Sequence, residues 1–157
     1  MKKKRVVIIS LLLLLVSVIG ISSYFLFKDK INLLDLDPSA VEWNGKKQKD
    51  TSGEENTIAI PGFEKVTLYA NETKQAVNFH NPEINDCYFK ISLIHPDGSV
   101  LWISDLIEPG KGMYSIELEK TLAVGEYENA VLKYECFSLN DQSPLNGSEI
   151  NLKLVVV

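Results

Sequence analysis

The strongest nucleophiles in this chain are its two cysteines, Cys87 and Cys136. Cys87 and Cys136 exclude a zinc cluster built from cysteine alone and leave a disulfide, two buried free thiols or an active-site thiol. A disulfide would close a loop of about 50 residues and stabilise the fold by roughly 3–4 kcal/mol in the chain-entropy account. An active-site thiol needs a histidine partner, and no spacing links His80 or His95 to either cysteine.

Histidines and carboxylates are the remaining candidates for chemistry. His80 and His95 could join Asp86 or Asp97 in a metal site, but no H-x-H or H-x-x-x-H spacing is present, and we interpret both histidines as solvated strand-end residues. A calcium loop needs alternating Asp and Asn, which the acidic loop residues lack. Those residues are Glu83, Asp86, Asp97, Asp105 and Glu108. We therefore expect no metal and no cofactor.

Catalysis and nucleic-acid binding are both disfavoured by the residue pattern. There are no paired carboxylates and no spacing of a nucleophile with a base, so we expect the protein not to be an enzyme. An RNA methyltransferase would need a glycine-rich strand-to-helix turn and a basic face, but the 9 glycines are scattered through turns. The chain has 21 acidic residues against 16 basic ones, four of which precede residue 6. Neither a nucleic acid nor a small-molecule substrate is therefore expected as a ligand.

The N-terminal region has the composition of a membrane segment. Residues 6–27 are 22 consecutive uncharged residues, and a helix of that length spans about 30 Å of hydrocarbon. Residues 1–5 form a basic tail, so the positive-inside rule predicts a single-pass signal-anchor in the cytoplasmic membrane, with the N-terminus inside and the C-terminal domain outside. The alternative is a signal peptide cleaved after Ser22, which would also export the domain but leave it without a tether.

Residues 28–56 read as a polar linker, and 46–56 in particular lack the apolar residues needed to order a segment. An apolar island interrupts this linker. It consists of Ile31, Leu33, Leu34, Leu36, Val41 and Trp43. Two interpretations stay open: these residues lie on the membrane interface or pack against the domain, or Trp43 anchors a short docking peptide for a partner.

Residues 57–157 carry the pattern of a β-domain, with short alternating segments separated by turn residues. Seven strands are predicted, at 65–70, 75–81, 87–95, 99–104, 113–119, 126–138 and 149–157. Seven is the number in an immunoglobulin-like or fibronectin type III-like sandwich. The predicted fold class is therefore all-β, a seven-stranded immunoglobulin-like sandwich preceded by one N-terminal transmembrane helix.

Turns and side-chain alternation set the expected arrangement of these strands. Pro96-Asp97-Gly98 predicts a hairpin between the third and fourth strands, and residues 108–112 predict a crossing between sheets. Alternation places both cysteines on the inward face of neighbouring antiparallel strands. The predicted core positions are Cys87, Phe89, Ile91, Leu93, Ala130, Leu132, Tyr134, Cys136, Val66, Leu68, Val77, Phe79, Leu101, Ile103, Ile116, Leu118, Leu152 and Leu154. The apolar C-terminal strand is either buried on both faces or an edge that pairs with another chain.

A family resemblance is carried by three short motifs: residues 60–63 (IPGF), residues 102–111 (WISDLIEPGK) and Gly125-Glu126-Tyr127. With these motifs the chain resembles small, single-pass, membrane-anchored proteins of Gram-positive bacteria that carry an extracytoplasmic immunoglobulin-like domain. Residues 122–127 are also similar to the corner of such sandwiches, in which the hydroxyl of a tyrosine, here Tyr127, bonds to the backbone upstream. The motifs are structural and imply no activity.

Location and fold class together predict a non-enzymatic binding or assembly module that engages an extracytoplasmic protein through loops or a sheet edge. The alternative is a structural subunit of an envelope machine, such as a conjugation or secretion apparatus, in which the transmembrane helix itself makes contacts.

Overall fold

The computed structural model describes residues 33–45 and 57–157, and one compact unit runs from Leu34 to Val157. This part of the chain is all-β, with two sheets and no helix. No helix in these ranges is long and apolar enough to cross a membrane. The predicted basic tail 1–5, the predicted transmembrane segment 6–27 and the polar stretch 46–56 lie outside the described residues.

Eight strands make up the two sheets. They are β1 (Val41–Glu42), β2 (Lys65–Leu68), β3 (Lys74–His80), β4 (Cys87–Ile94), β5 (Val100–Ile103), β6 (Lys111–Glu117), β7 (Gly125–Ser138) and β8 (Pro144–Val156). Strands β2 to β8 overlap the seven predicted strands, because alternation and turn residues mark each one. Strand β1 was not predicted, since two residues carry no alternation, and it lies inside the predicted linker.

The larger sheet has the order β2-β8-β7-β4-β5. Strands β4 and β5 are antiparallel neighbours, as the Pro96-Asp97-Gly98 turn predicts, and β4 also pairs with β7. Strand β8 lies between β7 and β2, antiparallel to the first and parallel to the second. The apolar C-terminal strand is therefore an interior strand and not an edge. It begins at residue 144, five positions before its predicted start, because Pro144 and Leu145 pair with the end of β7 beyond a register shift. Proline is tolerated there because it occupies the first strand position.

The smaller sheet has the order β1-β6-β3. Strand β6 pairs with β3 along most of its length and with β1 only at Gly112 and Lys111. The chain crosses from the larger sheet to the smaller one between Ile103 and Lys111, where the sequence predicts a crossing.

The core lies between the inward faces of the two sheets. Its largest fully buried side chains include Tyr134, Phe79, Phe89 and Leu101. One predicted core residue is wrong: Ile103 is 46% exposed, and Trp102 is buried instead. The physical reason is a register shift between Leu93 and Ile94, which pairs Trp102 with Leu93. Leu101 and Trp102 are therefore both buried, and the alternation of β5 shifts by one residue after Leu101.

Candidate functional site

Residues 34–44, which we call the strap, are fastened to residues 57–157, which we call the β-unit. Its first residue is held by one side chain: the Leu34 amide donates to Gln142 Oε1 at 2.6 Å, and Gln142 Nε2 donates to the Leu34 carbonyl at 3.0 Å. The Asp37 amide then donates to the Leu106 carbonyl at 2.8 Å, and the Leu106 amide donates to the Asp35 carbonyl at 3.0 Å. The strap thus begins beside the larger sheet.

The second half of the strap lies against the smaller sheet. Val41 pairs with Gly112 and Glu42 with Lys111, and the Trp43 amide donates to the Gly110 carbonyl at 2.9 Å. These bonds cover only the first residues of β6. The strap therefore spans from one sheet to the other along one side of the unit.

The Trp43 side chain contacts His80, Asn78 and Gly112, which together we call the cradle. Its indole stacks on the His80 imidazole, with centroids 3.7 Å apart and planes 8° from parallel. Its Nε1–H donates to Asn78 Oδ1 at 2.7 Å. A Cβ at Gly112 would lie 2.8 Å from Trp43 Cδ1 and 2.7 Å from the Phe79 carbonyl oxygen, so only glycine fits there.

His80 is the unusual group in this cradle. It is only 4% exposed, and its Nδ1 has no hydrogen-bond partner among the described residues. Burial lowers the pKa of His80, and a hydrogen bond to the Asn78 backbone partly offsets that effect. The ring is therefore neutral at pH 7, with a buried nitrogen left unsatisfied. The prediction that His80 is solvated is wrong, because Trp43, which covers the ring, lies 37 positions away in the sequence and no local pattern reveals the contact.

The packing of Trp43 bears on the two interpretations left open for it. The indole is half-buried and uses its donor and one ring face within its own chain. This agrees with packing against the domain. Its role as a docking anchor for a partner stays a prediction, and any such partner would compete with His80 and Asn78.

The residues that follow the polar stretch are also held at this end of the unit. Asn85 Oδ1 accepts from the Ala59 amide at 2.8 Å, and Asn85 Nδ2 donates to the Ala59 carbonyl at 3.0 Å. Asn81 Nδ2 donates to the carbonyls of Cys87 and Ile107 at 2.8 and 3.0 Å. Both amides are buried and bonded, so they fix the surrounding loops. The roles of Asn81 and Asn85 were not predicted, although asparagine at a strand end is a recognisable loop signal.

Cys87 and Cys136 lie on the paired strands β4 and β7, 1% exposed each. They are diagonal neighbours, since Cys87 pairs with Ser138 and Cys136 with Phe89. Both are free thiols in this structure. A hydrogen bond between them lowers the pKa of Cys87, and the same bond together with burial raises that of Cys136. Their sealed position removes them from solvent, and the disulfide stays a prediction.

Tyr127 and His95 lie at the opposite end of the unit from the strap's first residue. The Tyr127 hydroxyl donates to the Ala123 carbonyl at 3.0 Å, which ties the loop before β7 to the strand. His95 packs edge-on to Tyr127, and its Nδ1 lies 3.0 Å from Asp97 Oδ1. Hydrogen bonds from Ser99, and then the contact with His95, hold the pKa of Asp97 well below its usual range.

The two histidines cannot share a ligand. His80 ends β3 beside the start of β4, whereas His95 follows the end of β4, so the length of an eight-residue strand, roughly 26 Å, separates them. Among the described residues no three His, Cys, Asp or Glu side chains form a group that could hold a metal ion.

Comparison of this chain with protein-family models, with curated proteins and with solved structures gives no match.

Proposed function

We propose that this chain is a non-enzymatic binding module, an immunoglobulin-like domain held by an N-terminal membrane anchor on the outer face of the cytoplasmic membrane. The order of strands supports the fold assignment. In such sandwiches the C and F strands are neighbours, G follows F, and B pairs with E. The neighbours β4 and β7, β7 and β8, and β3 and β6 have these relations. The bond from the Tyr127 hydroxyl to Ala123 supports the same assignment.

A row of exposed apolar residues at one end of the larger sheet supports a binding role and carries this proposal. Val157 accepts from the Ala70 amide at 2.8 Å and donates to the Leu68 carbonyl at 3.0 Å, so it lies directly beside Tyr69. Val124 precedes Gly125, whose register partner is Val156, and so continues the row on the other side. Their side chains are 54%, 55% and 71% exposed for Val157, Tyr69 and Val124.

This apolar row (Tyr69, Val157 and Val124) suits a protein partner outside the cytoplasm. Adjacent exposed apolar side chains mark interaction surfaces more often than isolated ones do, and tyrosine is favoured at such surfaces. The row lies at the end of β8 that is far from Gln142 and the strap's first residue. A partner could therefore reach the row without displacing the strap.

Site-specific photo-crosslinking in the native membrane tests this proposal. A photoreactive residue at Val124 is expected to capture one defined extracytoplasmic protein. The same residue at Ile84, which is 59% exposed in the loop between β3 and β4, is the matched control and is expected to capture none. Equal capture from both positions, or no capture from Val124, would argue against a binding surface at this row.

Two further measurements test the location. The mass of the mature protein distinguishes the anchor, which keeps residues 1–22, from a signal peptide cleaved after Ser22. Replacing residues 6–27 by an unrelated span of equal length should preserve crosslinking from Val124. If export is intact and crosslinking is lost, the helix itself makes the contacts, as expected of a structural subunit of an envelope machine.

A further inference from the structure

The indole of Trp43, a residue of the strap, covers one face of the His80 ring. Phe79, the residue before it, packs into the core against Phe63 and Trp102, so His80 points to the opposite, outer face of the smaller sheet. A residue on an outer face is normally hydrated. The stacked indole of Trp43 covers it instead, so the burial of His80 depends on the strap.

The His80 ring is less well hydrated when the strap is closed than it would be when the strap is open. In the closed state Nδ1 is buried without a partner among the described residues, whereas in an open state water can bond it. A proton on Nδ1 would place a positive charge on a ring that is removed from water, and the hydrogen bond to the Asn78 backbone offsets only part of that cost. Stacking on an indole favours a cationic ring, but this attraction is smaller than the cost of burying a charge without a partner. Proton binding to His80 therefore favours the open strap.

The charged groups around His80 do not reverse this preference. They are Glu42 on the strap, Lys111 on β6, and Glu83 and Glu108 in the loops beside Gly110. Lys111 forms an ion pair with Glu108, and within the described residues no carboxylate forms an ion pair with His80. Glu42 and Lys111 face each other across the β1–β6 pair at the position next to Gly112, and so point to the other face of the sheet.

We infer that the strap is a latch that opens on protonation of His80 and so uncovers the edge of β6. Strand β1 is the only strand on that edge in the described ranges, and it pairs with two residues. Release of Trp43 uncovers the backbone of Lys111 and Gly112 next to a stretch of β6 that β1 leaves unpaired.

Amide hydrogen exchange of the full chain in detergent micelles tests the latch. The reporters are the Trp43 amide, bonded to the Gly110 carbonyl, and the Phe89 amide, bonded to the Ile107 carbonyl in the core. Exchange is expressed as a protection factor, which corrects for the intrinsic pH dependence. Between pH 8 and pH 5 the protection of Trp43 should fall by up to about 30-fold, the limit set by an open-state histidine with an ordinary pKa. Protection at Trp43 should also stay below that at Phe89.

Variants assign the effect to one residue. His80→Phe keeps a ring under Trp43 but cannot bind a proton, and it should abolish the pH dependence; His80→Gln serves if that variant does not fold. His95→Gln, which removes the only other histidine, should leave the pH dependence intact. The latch is overturned if Trp43 protection does not change with pH, if His80→Phe retains the change, or if Trp43 and Phe89 have equal protection throughout.

Discussion

Replacing Trp43 with alanine should destabilise the β-unit by about 3 kcal/mol. A half-buried indole removes roughly 100 Å² of apolar surface from water, worth about 2.5 kcal/mol. The bond to Asn78 and the stacking on His80 contribute about 1 kcal/mol each. Hydration of the unsatisfied His80 nitrogen in the variant recovers about 1–2 kcal/mol. The net loss is large because the Trp43 side chain fixes the strap to the smaller sheet through two partners, Asn78 and His80.

Trp43→Phe is the matched control. It keeps an aromatic ring over His80 but lacks the donor for Asn78 Oδ1, so the expected loss is about 1 kcal/mol. Asn78→Ala should cost a similar amount, and combining it with Trp43→Phe should add little, because both remove the same bond.

Urea unfolding of the full chain in detergent micelles, followed by the circular dichroism of the β-unit, measures each free energy of unfolding. A Trp43→Ala value within 0.5 kcal/mol of the parent would refute the reasoning, on the scale typical of an exposed surface substitution. That result, together with loss of a crosslinked partner, would instead favour Trp43 as a docking anchor.

Three other results are expected. Tyr127→Phe should lower the free energy of unfolding by about 1 kcal/mol through loss of the bond to Ala123, and an unchanged urea midpoint would contradict this. Burial lowers the pKa of His80 below its unfolded value near 6.5. The free energy of unfolding should therefore be constant above pH 6.5 and fall below it, by at most about 1.4 kcal/mol per pH unit. His80→Phe should remove most of this pH dependence. Neither Cys87 nor Cys136 should react with a thiol reagent in the folded protein, because both are buried. After denaturation without reductant, two reactive thiols would match the free pair of this structure, and a count of zero would demonstrate the predicted disulfide.

Most of the strand positions could be predicted because the physical signals are local. Alternation marks β4 and β7, and the Pro96-Asp97-Gly98 turn fixes the pairing of β4 with β5. Ile103 shows where this reasoning fails, since a bulge changes the face of every later residue without leaving a mark in the sequence. Alternation and turn residues therefore predict where strands lie but not where a bulge interrupts them.

The cradle could not be predicted because it depends on pairing across long separations. Trp43 was recognisable as an apolar residue in a polar stretch, but its partners His80, Asn78 and Gly112 belong to two strands that no local pattern connects to it. Gln142, which holds Leu34, is separated from it by 108 positions. The two-residue strand β1 is defined by this pairing alone.

The strap also changes how mechanical load would enter the molecule. Its end at Trp43 is tied to Gly110, and the chain is tied to the same unit again at Ala59. Only residues 28–33 separate the predicted membrane span from the Gln142 clamp, a length of about 20 Å at full extension. With the proposed membrane anchor and the proposed partner, a pull between the two would load the Leu34–Gln142 bonds first, then the strap, and only afterwards the core.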